Sequence, residues 1–180
     1  MVLFFKILGS ILVICGCFLL GINIGQGMNK RLSELKELER IIGMLEGELR
    51  YRRNPLRQCF ENISMRCSAP FAEWLNHIVD QMKICKNNFL DIWNMGMDRL
   101  RIVKREGRLN LKNEDIDEIK HIGNALMEED LDSQLGALLL EKAALHNKII
   151  GCTEEIQGKK KVAVSMCGLG GIMIVIILAI

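Results

Sequence analysis

Residues 35–49, LKELERIIGMLEGEL, carry a stripe of apolar side chains that decides the fold. Leucine and isoleucine recur there at steps of three and four residues, which is the spacing of one helix face and of a coiled-coil seam. The members of the stripe are Leu35, Leu38, Ile42, Leu45 and Leu49. The sequence therefore predicts a helix from about Lys30 to Tyr51 with one buried face.

A second stripe of the same spacing lies between residues 131 and 156, where one lysine interrupts the apolar series. Its members are Leu131, Leu135, Leu138, Lys142, Leu145, Ile149, Cys152 and Ile156. Because the first and last helices of a bundle can bury such stripes against each other, we expect an antiparallel pair that holds the shorter helices. A zipper between copies of the chain is the alternative use of a heptad stripe.

Four shorter helices are predicted between the two stripes from helix-start signals. Their expected starts are Asn54 as a cap with Pro55 in the first position, Ser68 as a cap with Pro70 in the first turn, Asn88, and Asn113 as a cap. Residues 104–108, KREGR, break the periodicity and predict the longest loop. Only two prolines and no sustained apolar–polar alternation are present, so we expect an all-α chain with a bundle of about six helices.

The chain ends in an uncharged apolar segment, residues 162–180. At about 1.5 Å per residue, a helix of this length spans roughly 28 Å, close to the hydrocarbon thickness of a bilayer. A buried core helix is the alternative. An apolar run from Ile7 to Ile24 predicts a second span, with a cleaved leader of a secreted helical protein as its alternative. The expected domains are a transmembrane anchor at 1–28, a helical bundle at 29–161 and a transmembrane helix at 162–180.

Basic residues flank the middle segment at both ends, which predicts that this segment is cytoplasmic. The expected membrane-stop cations are Lys159, Lys160 and Lys161, with Lys30 and Arg31 at the other end. Small residues in the two spans would let helix backbones approach closely, although glycine is also simply common in membrane helices. The candidate packing residues are Gly21, Gly25, Ala163, Cys167 and Gly171.

The sequence contains no G-x-x-x-x-G-K-[ST], G-x-S-x-G or H-E-x-x-H pattern, so no catalytic site is predicted. The seven cysteines show no C-x-x-C spacing, and neither a metal nor a cofactor is expected. A net charge of +2 argues against a nucleic-acid partner. The group Glu114, Asp115 and Asp117 is interpreted as a solvated helix start. Lys142 and Cys152 leave a small membrane enzyme or an ion-handling protein as an alternative function.

Four arginines and one tyrosine surround the junction of the first two predicted helices, residues 50–57, RYRRNPLR. Guanidinium groups bind carboxylates through paired hydrogen bonds, so this junction is a candidate binding site for an acidic protein partner. A merely solvated helix junction is the alternative. On an upright first helix the junction would lie roughly 30 Å from a membrane, beyond a Debye length of about 8 Å. The candidate partner-binding residues are Arg50, Tyr51, Arg52, Arg53 and Arg57.

Several short patterns occur in an order that resembles the stage III sporulation protein AB family of endospore-forming bacteria. They are Glu48-Leu49-x-Tyr51-x-x-x-Pro55-Leu56, Phe89-x-x-x-Trp93, the series Glu114, Gly123, Leu126, Asp130 and Gln134, and Glu154 followed by Lys159-Lys160 before a glycine-rich final span. The likeness covers nearly the whole chain. The sequence departs from the family pattern at Arg52-Arg53, where smaller residues are usual.

The resemblance implies a non-enzymatic membrane platform or adaptor, because the family is similar to platform protein F of type II secretion systems. The implied setting is the secretion-like channel complex between mother cell and forespore, in the mother-cell membrane around the forespore. The implied partners are the lipid bilayer, a cytoplasmic ATPase and other membrane subunits of the complex. The resemblance supplies no catalytic residue and no cofactor, and it leaves a homo-oligomer open.

Overall fold

A computed structural model describes residues 26–52, 54–84, 88–128 and 130–179; the side chains of Lys160 and of residues 163–179 are outside the description. The chain divides into two compact units. One unit combines Met1–Lys30 with Gly151–Ile180, and the other is Arg31–Ile150, which we call the bundle.

Six α-helices follow one another, and the described residues contain no strand. Helix α1 spans 26–47 and continues as a π-helical turn, Glu48–Arg52. The remaining helices are α2 (Leu56–Ser64), α3 (Phe71–Ile84), α4 (Phe89–Arg105), α5 (Asn113–Ala125) and α6 (Leu131–Ala179). The predicted all-α class is therefore confirmed.

Within the bundle, α1 and α6 run antiparallel, as the two stripes predict. His146 Nδ1 lies 2.8 Å from Glu39 Oε1, and Lys142 Nζ lies 3.2 Å from Glu46 Oε2. All five members of the α1 stripe are buried, as are Leu135, Leu138, Leu145 and Ile149 on α6. Cys152, which belongs to the other unit, is also buried. Each buried leucine or isoleucine contributes about 1.5–3 kcal/mol relative to an exposed one, so the stripes form a large part of the core.

An aromatic cluster fills the space between α2, α3 and α4. The ring centroid of Trp93 lies 5.4 Å from that of Trp74, in an edge-to-face arrangement, and 6.0 Å from that of Phe60. A Cβ atom at Gly123 would collide with the Trp93 indole. Helix α5 therefore packs on the cluster because position 123 carries no side chain.

The predicted starts of two helices are wrong in their capping residues. Pro55, and not Asn54, is the N-cap of α2, and the Asn54 side chain instead donates a hydrogen bond to Glu48. The N-cap of α5 is Lys112, so Asn113 is already the first residue of the helix. The Asp115 carboxylate replaces an Asn113 cap, because its Oδ2 accepts a hydrogen bond from the Lys112 N–H at 2.7 Å.

Two further local predictions need correction. Pro70 precedes α3, which begins at Phe71, and the Ser68 carbonyl accepts a hydrogen bond from the Ala72 N–H at 3.1 Å. Lys104 and Arg105 lie in α4 and not in the loop. The helix ends only where Gly107 adopts a φ of 74°, a left-handed conformation that suits glycine.

Among the described residues, no helix is both long enough and apolar enough to cross a membrane. The predicted span at 1–28 falls on residues of which 1–25 lie outside the described part of the chain. For the predicted span at 162–180, the side chains of residues 163–180 also lie outside it. Both spans therefore stay predictions.

Candidate functional site

The π-helical turn Glu48–Arg52 separates its residues into an inner and an outer set. Glu48 and Leu49 are buried, whereas Arg50, Tyr51 and Arg52 are exposed. Tyr51 is 81% exposed, an unusual value for a large aromatic side chain. Single π-helical turns within α-helices are rare and often occur at functional sites. The turn therefore presents one aromatic ring and two guanidinium groups at the surface.

The Glu48 carboxylate holds this turn from the inside. Its Oε2 accepts hydrogen bonds from Asn54 Nδ2 at 2.9 Å and from Asn62 Nδ2 at 3.1 Å, and its Oε1 lies 3.3 Å from Arg52 Nη1. Burial acts to raise the pKa of Glu48, but the two amide donors and the positive charges of Arg52 and Arg66 outweigh it and lower that pKa. An ionised Glu48 thus ties the turn to α2 and to the residues that precede α2.

The structure places the predicted partner-binding arginines in different surroundings. Arg50 Nη2 lies 3.2 Å from Glu46 Oε1, and Arg52 pairs with Glu48. Arg57 is exposed in the first turn of α2 and forms no ion pair within the described ranges. Arg53 lies outside the described residues. The π-helical turn carries Arg50, Tyr51 and Arg52. Helix α2, which carries Arg57, packs against this turn, so the four side chains belong to neighbouring elements.

A buried ionic cluster in the bundle was not foreseen from the sequence. Asp115 was interpreted as part of a solvated helix start, and this is wrong because it is only 1% exposed. Arg31 Nε and Nη2 donate to its two carboxylate oxygens, each at 2.8 Å, and Lys148 Nζ lies 3.4 Å from Oδ1. The neighbouring Glu114 and Asp117 are exposed, as the interpretation required.

The surroundings of Asp115 favour its charged form. Burial acts to raise its pKa, but the hydrogen bonds from Arg31 and the Lys112 N–H and the charge of Lys148 outweigh burial and lower the pKa. Arg31 and Asp115 are 84 positions apart, and neither belongs to a periodic pattern. The one available signal was a cation, Arg31, directly before the α1 stripe, and this residue was interpreted as a membrane flank.

Most of the predicted membrane-associated residues are not tested by the structure. Lys159 Nζ pairs with Glu155 Oε1 at 2.8 Å, one helical turn away, and Lys161 is exposed. The following lie outside the residues or side chains that the structure describes: Gly21, Gly25, Lys160, Ala163, Cys167 and Gly171. Their roles as packing and membrane-stop residues stay predictions.

The two residues that motivated an enzymatic alternative have structural surroundings. Lys142 pairs with Glu46 on α1, and Cys152 is buried. In the part of the chain that the structure describes, no group of three or more His, Cys, Asp or Glu side chains is arranged to hold a metal ion. The described side chains thus provide no geometric support for a site at either residue.

Comparison with known protein families identifies the family to which the chain belongs. Residues 6–179 match the family model described as stage III sporulation protein AB. The chain belongs to the stage III sporulation protein AB family. This is a family of sporulation proteins and not a family of known enzymes. Comparison with curated protein sequences gave no significant match.

A solved structure titled stage III sporulation protein AB has the same fold. It superimposes with a TM-score of 0.64 at 19% sequence identity, covering 71% of this chain and 97% of the solved chain. At this identity the likeness shows the fold alone. The family patterns have structural causes in this chain: Gly123 admits the Trp93 indole, and Gln134 Nε2 donates to the Leu126 carbonyl at 3.2 Å.

Proposed function

We propose that the chain is a non-enzymatic membrane platform of the sporulation channel complex, and that its π-helical turn docks a cytoplasmic ATPase. The observation that carries the proposal is the turn itself. A buried, ionised Glu48 fixes the backbone, and the same turn exposes Arg50, Tyr51 and Arg52. A surface feature that is held rigidly from inside loses little conformational entropy when a partner binds, which favours recognition.

The chemistry of the turn favours an acidic protein surface as the partner. Tyrosine and arginine are, with tryptophan, the residues most enriched among those that dominate binding energy in protein interfaces. Arg57 has no ion-pair partner within the described ranges, and Arg50 and Arg52 keep 42% and 56% of their side chains exposed despite their pairs. These guanidinium groups are therefore available for carboxylates of a partner protein.

The membrane part of the proposal rests on the sequence. Residues 162–180 are uncharged and follow three lysines, and the 49-residue helix α6 extends to Ala179. The positive residues on both sides of the middle segment support a cytoplasmic bundle between two spans. In this arrangement the mother-cell membrane around the forespore holds the chain, and other membrane subunits of the complex contact its spans.

The test compares binding of the complex's ATPase to two double variants of the full chain. Tyr51→Ala/Arg57→Glu changes exposed groups that make no ion pair among the described residues, so the fold should persist. Met65→Ala/Lys120→Glu is a matched control, because Met65 is 84% exposed on the segment after α2 and Lys120 is exposed on α5. We expect a loss of at least about tenfold in affinity for the first variant, as for an interface anchor, and none for the control.

Equal ATPase binding by both double variants would remove the π-helical turn from the proposal. Circular dichroism of both variants shows whether a loss of binding reflects unfolding. A chain recovered in the soluble fraction after cell lysis, with no detergent, would contradict the membrane placement without affecting the docking result.

A further inference from the structure

One face of α6 in the bundle, between residues 136 and 150, is exposed and carries no charge. Leu140 is 73% exposed, and Leu139 and Ile150 are 43% and 46% exposed. Ala143 and Ala144 on the same side are also exposed. An outward helix face without charge over about four turns is a typical mark of an interaction surface.

The charged residues of this part of α6 point towards other helices of the bundle. Lys142 pairs with Glu46 on α1, Lys148 pairs with Glu118 on α5, and the half-buried Glu141 lies near His121 on α5. His146 contacts Glu39 on α1 at 2.8 Å. The charges of α6 between residues 136 and 150 therefore flank its buried stripe and leave the outward side uncharged.

The outward sides of the other helices differ from this face. Helix α3 exposes Glu73, Asp80 and Lys83. Helix α5 exposes Glu114, Asp117 and Lys120 in the same way. Solvation of α6 alone does not explain its composition, because neighbouring helices of the same bundle use charged residues for that purpose.

The exposed face has its own heptad spacing, opposite the buried stripe. Its positions are Gly136, Leu140, Ala143, Asn147 and Ile150, at steps of four, three, four and three. Nothing lies within 4 Å of a Cβ placed at Gly136, so that glycine is not required by packing inside the chain. Small residues in a heptad seam allow two helices to approach closely.

We propose that this face is the surface through which two copies of the chain pair, with their α6 helices parallel and in register. A parallel, in-register pair sets each position of the face against itself, so the absence of charge from Gly136 to Ile150 avoids repulsion there, and Glu154, the next position at this spacing, ends the seam. The Asn147 amide is both donor and acceptor, so two copies at one level satisfy each other. A single asparagine in an otherwise apolar seam is known to fix register and two-strand pairing.

An antiparallel arrangement fits the same residues less well. It would place Asn147 against apolar side chains of the other copy, and a buried amide without a hydrogen-bond partner costs about 1–3 kcal/mol. The face extends over roughly 22 Å, from about fifteen residues at 1.5 Å each. One helix pair of that length buries less than the total of about 1,200 Å² found in stable interfaces, so the dimer is weak and reversible.

Photo-crosslinking of the full chain in cells tests this pairing. Two copies with different tags are co-expressed, each carrying Leu140→p-benzoylphenylalanine, and adducts that contain both tags are quantified. The matched control places the same photoreactive residue at Met65, which is 84% exposed and lies off the face. We expect a strong two-tag adduct at position 140 and at most a trace at position 65.

A second variant makes the result specific to the seam. Asn147→Lys at an exposed position should leave the fold intact but bring two like charges together, so the two-tag adduct should fall by at least about tenfold. Pairing through this face is overturned by equal adducts at positions 140 and 65, by an adduct unaffected by Asn147→Lys, or by adducts only with another protein or with lipid. Loss of ATPase binding through Tyr51→Ala/Arg57→Glu leaves the expected adduct unchanged, so the two proposals fail separately.

Discussion

Two buried carboxylates in the bundle have similar exposure but pair with cations in different surroundings. Asp115 is 1% exposed and Glu48 is 6% exposed. The guanidinium beside Asp115 belongs to Arg31, itself only 8% exposed, whereas the Arg52 side chain beside Glu48 is 56% exposed. The first pair is withdrawn from water as a whole, and the second is buried on its acidic side only.

This difference distinguishes an ion pair whose two partners are buried in the fold from one whose cation stays at the surface. Two desolvated charges depend on each other, so removal of either partner leaves an unfavourable buried charge. A half-exposed arginine keeps most of its hydration and contributes little to stability. Burial of the cation, more than the distance between the charges, therefore indicates which guanidinium group is available to a partner protein.

The largest expected effect is at the fully buried pair. Asp115→Ala removes the bidentate acceptor of Arg31 and the acceptor of the Lys112 N–H, so we expect a loss of about 3–5 kcal/mol in the free energy of unfolding. Urea unfolding followed by circular dichroism measures it. Asp117→Ala, two positions further and exposed, is the control and should change stability by less than about 0.5 kcal/mol. Equal effects of the two substitutions would show that the Arg31 pair is not structurally important.

Acid conditions should affect both carboxylates in the same direction. The pKa values of Asp115 and Glu48 are both lowered by folding, so the stability they contribute is present above their unfolded pKa values, near 4, and is lost as the pH falls through the lower folded values. We expect the unfolding free energy to decrease below about pH 4, with each group adding at most about 1.4 kcal/mol per pH unit.

Variants in which an amide replaces the carboxyl group show how much of this acid dependence comes from Asp115 and how much from Glu48. Asp115→Asn and Glu48→Gln should each show a shallower decrease between about pH 4 and 2 than the unmodified chain. Slopes identical to that of the unmodified chain in both variants would assign the acid sensitivity to other groups. The comparison uses urea unfolding at each pH, since the quantity of interest is the slope and not the stability at neutral pH.

The periodic parts of the fold were predictable from the sequence, and the two ionic sites were not. Burial of Leu35 and Leu138 follows from repeats of three and four residues, which are local patterns. The Arg31–Asp115 pair forms only after α1 and α5 have packed, so no spacing along the chain indicates it. Membrane spans at 1–28 and 162–180 are also local predictions, but they remain untested.

The candidate site was predictable in composition and not in geometry. The arginines and Tyr51 stand out in the sequence. The periodic pattern, however, predicted an ordinary helix end at these residues. The π-helical turn depends on Glu48 receiving donors from Asn54 and Asn62, and the first of these was assigned a capping role that the structure contradicts. Side-chain donors that serve a neighbouring turn and a helix cap equally well cannot be assigned from sequence position alone.

Arg52→Ala is expected to have the smallest effect on stability. It is also the sharpest test of the comparison between the two ion pairs. Glu48 keeps its hydrogen bonds from Asn54 and Asn62 in this variant, so we expect the unfolding free energy to change by less than about 0.5 kcal/mol. Binding of the ATPase should nevertheless weaken, because the exposed guanidinium is lost. Arg31→Ala should show the reverse, a large loss of stability with unchanged affinity of the molecules that remain folded. If Arg52→Ala instead destabilises the chain and leaves ATPase affinity intact, exposure of the cation does not distinguish a binding arginine from a structural one.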